Sequence, residues 1–305
     1  MPEPSGPSSA RGVFAAVTFA VVVWSAIHLS VPPAPLSVKV SDPPPEGVIG
    51  REDRVPLELF RPDPPEAFPG WEAVQNAVVR VSCNGGATGG GILIGDGTRM
   101  LSAAHVFLND DGSLNRNRAW CMAVHPGGDR VAIDGRGAKT DDFTIPAELG
   151  THFSVAVTER DWVIVPLSRA PAGAQPLRIA TEDTLALEQG ARVLNIAGGQ
   201  DNYETDGFLA QMCTYHGAPP TASDLVDGEV VGRLAEPGDE WRVARYDCDL
   251  GRGGSGSPVI GWHDGTPVIW GGLTDSLRGA ERCPEVARTS CYSAGPLVTA
   301  MDIVE

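Results

Sequence analysis

From Trp71 to the C-terminus, thirteen short runs rich in β-branched, aromatic and small apolar residues follow one another at roughly regular spacing. They read "AVVRVSC", "GGGILIG", "MLSAAHVF", "WCMAVH", "DRVAID", "HFSVAVT", "DWVIVPL", "ARVLNIAG", "FLAQMCTYH", "EVVGRLA", "WRVARYDCD", "SPVIGW" and "PVIWGGLT". Turn-forming stretches such as "GDG", "DDG" and "HDG" fall between them. No heptad, no strand–helix–strand rhythm and no internal repeat of fixed period is present. A chain of this texture closes antiparallel sheets into sandwiches or barrels. The 37 glycines and 26 prolines point the same way, towards short strands and turns over long helices. The expectation is an all-β sandwich or barrel architecture, and the 235 residues after position 70 would fill two small barrels. Only "PLVTAMDIVE" at the end reads as a short helix.

The first 70 residues have a different character. "VFAAVTFAVVVWSAIHL", residues 13–29, is the one long apolar run, and Arg11 precedes it. Its length lies between a signal-peptide core and a full membrane span. No small-x-small cleavage site follows, so residues 1–31 read as an uncleaved anchor in preference to a cleaved signal. Arg11 on the cytoplasmic side then places the remainder outside, in the periplasm or extracellular space, membrane-anchored or secreted. Residues 32–70 carry 11 prolines and read as an extended, semi-rigid linker or a propeptide.

Six cysteines, Cys83, Cys121, Cys213, Cys248, Cys283 and Cys291, occur without a CxxC pair, so a zinc ribbon is a poor reading. In an exported protein an even count suggests disulfides. Pairing neighbours in order gives Cys83–Cys121, Cys213–Cys248 and Cys283–Cys291, one of 15 connectivities that six cysteines allow. The net charge of −16 and the lack of a Lys/Arg-rich run argue against a phosphate-binding face, and so against nucleic acid as a partner.

"GRGGSGSP", residues 251–258, is either a flexible loop or a tight turn that presents Ser255. A serine hydroxyl becomes a useful nucleophile only when a base takes its proton. Of the six histidines, His105 in "RMLSAAHVF" differs from the rest: small residues precede it at the end of an apolar run that follows "ATGGGILIGDGT". That pattern is a hairpin whose return strand ends in a tight turn, with the imidazole at its edge.

"GGGILIGDGTRMLSAAHVF" resembles the histidine region of trypsin-like serine peptidases of the chymotrypsin fold, and "GGSGSP" resembles the nucleophile motif of their bacterial members. The resemblance covers about residues 75–300 and implies two antiparallel six-stranded barrels, one over about 71–178 and one over about 179–300, with the active site between them. The family's aspartate precedes a short apolar strand. "RDWVIVPL" fits and gives Asp161, while Asp141 and Asp142 in "KTDDFTIP" are weaker alternatives. The implied triad is His105 as base, Asp161 as the carboxylate that orients it and Ser255 as nucleophile. The N–H groups of Gly253 and Ser255 are the implied oxyanion hole, and no metal or organic cofactor is needed.

Departures from the family pattern also inform. Gly254 stands where animal digestive members carry the aspartate that pairs with a new N-terminus, so that zymogen switch is not expected. Val106 follows His105 where a cysteine is usual, so the disulfide around the histidine must be replaced, with Cys83–Cys121 as the candidate. Asp249 falls where trypsin has its specificity-pocket carboxylate, which implies Lys or Arg substrates; it reads equally as a structural loop carboxylate. Thr274 stands where bacterial glutamyl endopeptidases carry a histidine, against a preference for acidic side chains, and Asp275 adds negative charge beside it. The implied function is a serine endopeptidase acting on protein or peptide substrates. The alternative is an inactive peptidase-fold binding module anchored at the cell surface.

Overall fold

Apolar residues in this chain run without interruption through several strands, and the structure shows why: those strands are covered on both faces. A computed structural model describes residues 53–140, 143–144, 155–184, 188–198, 207–217, 242–276 and 293–299, apart from positions 65, 67, 85, 119 and 252. All of them lie in the compact unit spanning 41–305. The strands are β1 (Val55–Pro56), β2 (Val78–Cys83), β3 (Gly86–Ile94), β4 (Arg99–Ser102), β5 (Cys121–Val124), β6 (Arg130–Ile133), β7 (Val163–Pro166), β8 (Arg178–Ile179), β9 (Arg192–Ala197), β10 (Leu209–Thr214), β11 (Val243–Tyr246), β12 (Ser257–His263), β13 (Thr266–Leu273), β14 (Asp275–Ser276) and β15 (Ser293–Pro296).

Barrel one is the antiparallel sheet β6-β5-β2-β3-β4-β7. An Ile133–Leu167 bridge and the bond from Asp134 N–H to the Pro166 carbonyl close it on itself. In barrel two, β10-β9-β12-β13 continue through a Gly271–Leu297 bridge to β15 and β11, and a Tyr215–Tyr246 bridge returns to the end of β10. Closure leaves fewer open sheet edges to pair with other chains. "HDGT" makes the tightest hairpin: His263 pairs with Thr266 while Asp264 and Gly265 sit at φ 46° and 72°, the left-handed pair that a two-residue turn demands.

Each barrel has its own core, built around Leu93, Met100, Phe107 and Val165 in barrel one and Tyr246, Val259, Trp270 and Leu273 in barrel two. A third cluster lies between them, where Val78, Ile92, Leu101 and Ile164 meet Leu194, Ile196, Ile260 and Ile269. Strands β2 and β3 therefore face their own core and the neighbouring barrel at once, which replaces strict alternation with continuous apolar runs. Truncating such a residue to alanine typically costs about 2–5 kcal/mol.

Three readings of the sequence change. "HFSVAVT" is not a strand where it is described: Val155–Arg160 forms a short helix. Tertiary contacts override its β-branched composition, because Thr158 is buried and Glu159 accepts the Arg242 N–H at 3.2 Å. The expected C-terminal helix does not begin at Pro296. That residue ends β15, and Leu297 and Val298 donate to the Arg242 and Trp270 carbonyls, with Val298 fully buried; residues 300–305 lie outside the described part. The barrels are also not purely antiparallel, since β8 in the inter-barrel connection pairs parallel to β13.

The described residues of 53–70 bring the end of the proline-rich stretch onto the barrels. β1 pairs with β10, Leu57, Phe60 and Phe68 are buried, and Trp262 stacks edge-on against Phe68 and donates to the Pro69 carbonyl at 2.9 Å. Proline suits this edge position because it has no N–H to leave unpaired. The apolar run 13–29 and the remainder of the linker lie outside the described residues. Cys83–Cys121 and Cys213–Cys248 are disulfide-bonded as neighbour pairing predicts, which fits an oxidising compartment. Cys283 and Cys291 lie outside the described residues.

Candidate active site

His105 sits where barrel one's hairpin ends. β4 stops at Ser102, and Ala104–Val106 make one 3₁₀ turn on the buried small residues Ala103 and Ala104. Asp161 arrives from the other side, following the short helix, with its N–H donated to the Thr158 carbonyl. Its carboxylate accepts the His105 backbone N–H at 2.9 Å through Oδ1 and faces His105 Nδ1 at 2.6 Å through Oδ2. The Asp161 side chain is 8% exposed and the His105 side chain 34%. A buried carboxylate is tolerated when its oxygens are satisfied, and here both are. The pair fixes Nδ1 as the donor and turns Nε2 to the opposite edge of the ring.

The turn that carries Ser255 is bound to itself and to both barrels. Gly254 N–H donates to the Gly251 carbonyl at 3.0 Å and Ser257 N–H to the Gly254 carbonyl at 2.9 Å. Gly256 N–H donates to the Leu273 carbonyl, and Gly90 N–H donates to the Ser255 carbonyl at 2.8 Å. Gly253 and Gly256 have φ of 78° and 81°, values that a side chain penalises. A Cβ on Gly256 would lie 2.5 Å from Ser102 Oγ and 2.6 Å from Ala103 N, and one on Gly89 would lie 2.8 Å from both the Ser255 carbonyl and a Val106 methyl. The glycine run "TGGG" in β3 is therefore the surface on which the Ser255 turn and the His105 turn meet.

Behind that turn lies a buried polar network. Gln211 of β10 holds the Asp249 backbone at both ends: its Nε2 donates to the carbonyl at 2.7 Å and its Oε1 accepts the N–H at 2.9 Å. The same Nε2 donates to Asn195 Oδ1 at 3.1 Å, and Asn195 Nδ2 donates to Ser257 Oγ and the Pro258 carbonyl, each at 2.9 Å. The stretch 249–258 is thus pinned at both ends. A fully satisfied network of this kind rigidifies what it holds.

The structure brings His105 and Asp161 into contact and seats the Ser255 turn on the strand beside the His105 turn. Among the described residues, neither Gly253 N–H nor Ser255 N–H donates to a backbone carbonyl. Asp249 is 1% exposed, and its carboxylate accepts the Asp53 N–H at 3.5 Å. Thr274 is buried beside Asp161 in the lining of one small cavity, and its hydroxyl has no hydrogen-bond partner among the described residues. Asp275 pairs through β14 with Ala294. Asp141 and Asp142 lie outside the described residues. Sequence reading passed over Gln211 and Asn195, although a polar residue inside "LNIA" and inside "LAQMC" is itself a signal of buried hydrogen bonding. Among the described residues, no group of three or more His, Cys, Asp or Glu side chains could hold a metal ion.

A family model described as a trypsin-like peptidase domain matches residues 87–268, more than half of the chain. The chain belongs to this family. The trypsin-like match spans His105, Asp161 and Ser255 and both of the turns that carry His105 and Ser255. A solved structure of a Glu endopeptidase in complex with MPD is similar at TM-score 0.52 and 13% identity, over 84% of this chain and 95% of that one. At that identity the likeness concerns the fold. No curated protein matches this trypsin-like chain.

Proposed function

We propose that the protein is a serine endopeptidase that cleaves peptide bonds through an acyl-enzyme intermediate, with Ser255 as nucleophile, His105 as base and Asp161 as its orienting partner. The observation that carries this reading is the doubly bonded His105–Asp161 pair, a buried carboxylate on Nδ1 of a half-exposed imidazole. In the proposed reaction Nε2 takes the Ser255 proton as Oγ attacks the scissile carbonyl and then returns it to the leaving amine. Asp161 holds the tautomer and stabilises the imidazolium. The N–H groups of Gly253 and Ser255 receive the developing oxyanion, an arrangement in which a single donor is typically worth about 10²–10³ in rate.

The acidic specificity in the name of the solved relative is not carried over, because Thr274 takes the place of the histidine in bacterial glutamyl endopeptidases. Asp249 is assigned to holding its loop and the Asp53 segment, on the strength of its burial and its bonds. The two disulfides support export, and on that basis the protein works in the periplasm or outside the cell, tethered by the segment 13–29 or released from it. A fluorophosphonate probe tests the reading. It should label the wild-type protein and leave Ser255→Ala unlabelled; equal labelling would take the nucleophile role away from Ser255, and no labelling of either folded protein would overturn the reading in favour of a binding module.

A further inference from the structure

Every backbone carbonyl around the His105 turn has a partner. Those of Ala103 and Ala104 accept from Val106, Phe107 and Leu108 N–H, and that of Phe107 accepts from Asn115 N–H. Those of His105 and Val106 fall at the C-terminal end of the turn, where no further helical N–H follows. Both are taken by one side chain: Arg118 Nη1 donates to the His105 carbonyl at 3.0 Å and to the Val106 carbonyl at 2.6 Å. His105 is therefore gripped at its N–H by Asp161, at its ring by Asp161 and at its carbonyl by Arg118.

Arg118 is itself held in place. It ends a short 3₁₀ turn, its N–H donates to the Asn115 carbonyl at 2.8 Å, and it lies three residues before Cys121, which is bonded to Cys83 of β2. Partial burial draws the guanidinium pKa down from its ordinary value, yet an arginine so placed stays charged, and a charged donor makes the stronger hydrogen bond.

We propose that Arg118, anchored by the Cys83–Cys121 disulfide, is a positioning residue for His105. It does the work of a cross-link at the histidine, where Val106 offers no cysteine. The proposal rests on the peptidase reading above. A misplacement of about 1 Å in a reacting group can cost about 10²-fold in rate, so the expected signature is a slower chemical step with little change in probe binding.

The test uses the full chain and measures kinact and KI for a fluorophosphonate, with thermal unfolding followed in parallel. Arg118→Ala should lower kinact about 10- to 100-fold with KI within about twofold of wild type. Arg118→Lys, which keeps a charged donor, should recover to within about fivefold of wild type, and Arg118→Gln should fall between Lys and Ala. Arg169→Ala, which removes an exposed pair with Asp129 elsewhere on barrel one, should match wild type. A Cys83→Ser/Cys121→Ser double variant should lose kinact in the same direction as Arg118→Ala. Wild-type kinact in Arg118→Ala, or equal kinact in the Lys and Ala variants, would overturn the proposal. If the Ala variant does not fold, a Gln variant with wild-type kinact would do so. An unlabelled wild-type protein instead sinks the peptidase reading, so the two failures are distinguishable.

Discussion

Asp161 grips His105 at two points, its ring nitrogen Nδ1 at 2.6 Å and its backbone N–H at 2.9 Å, across 56 residues of sequence. An asparagine in that place keeps one oxygen for the backbone N–H but offers an N–H₂ where Nδ1–H needs an acceptor. The ring is then stabilised in the wrong tautomer. Asp161→Asn is expected to lower turnover by about 10⁴, by analogy with the same change in the serine peptidase triad. Steady-state hydrolysis of an activated ester, compared with wild type at matched folded concentration, checks this. An Asn variant of full activity would move the carboxylate role elsewhere.

The contact between Gly256 and Ser102–Ala103 predicts a steric effect that an alanine reveals. The residue has φ of 81° and leaves 2.5–2.6 Å to Ser102 Oγ, Ala103 N and the Gly90 carbonyl where a Cβ would stand. Strain of this kind costs about 1–3 kcal/mol, and in a domain of this size each kcal/mol shifts Tm by about 2–4 °C. Gly256→Ala should therefore lower Tm by several degrees and reduce fluorophosphonate labelling by at least about tenfold, since the methyl group pushes the Ser255 turn off the His105 turn. Calorimetry and labelling of one preparation measure both. An alanine variant that kept wild-type Tm and labelling would show that the turn has room to spare.

Much of this was legible from local signals. Turn pairs such as "HDG" fixed hairpins because two-residue turns need left-handed backbone that few residues supply. The motifs around His105 and Ser255 stood out because small residues crowd where backbones must touch. What escaped notice depended on distant partners. "HFSVAVT" alternates like a strand, and only the packing of Thr158 and Glu159 against remote groups makes its described part a helix. The prolines near residues 56–69 read as spacer because composition alone does not say that an edge of barrel two lies ready to receive them. Arg118 carried no local mark at all, since its partners lie 12 and 13 residues away.

Asp247 predicts an acid-sensitive element near the second disulfide. Burial by itself would raise its carboxyl, but the His216 imidazole at 3.4 Å and the Thr214 N–H at 2.5 Å outweigh burial and hold it below the usual carboxylate range. A depressed carboxyl pKa stabilises the fold above the unfolded value of about 3.9, and that contribution is lost as pH falls through the folded value. Asp247→Asn should lower Tm at pH 7, by about 2–4 °C because partial exposure screens the pair. The gap to wild type should close as pH drops below about 4. A Tm difference that stayed constant from pH 7 to pH 2 would contradict this account.

Asp249 separates two meanings of one carboxylate. As the floor of a specificity pocket, it would select Lys or Arg side chains by charge pairing, and its removal would reduce cleavage after basic residues far more than after others. Its surroundings favour the other meaning. It is 1% exposed, its backbone is held on both sides by Gln211, and its carboxylate accepts the Asp53 N–H where the N-terminal segment joins barrel two through β1. Removing one partner of a buried polar contact leaves the other unsatisfied, at about 1–3 kcal/mol. Asp249→Ala is therefore expected to lower Tm by about 2–12 °C, and to change the ratio of cleavage after basic and non-basic residues in a peptide library by less than twofold. A selective loss of at least tenfold after Lys and Arg, with Tm unchanged, would return Asp249 to the substrate pocket.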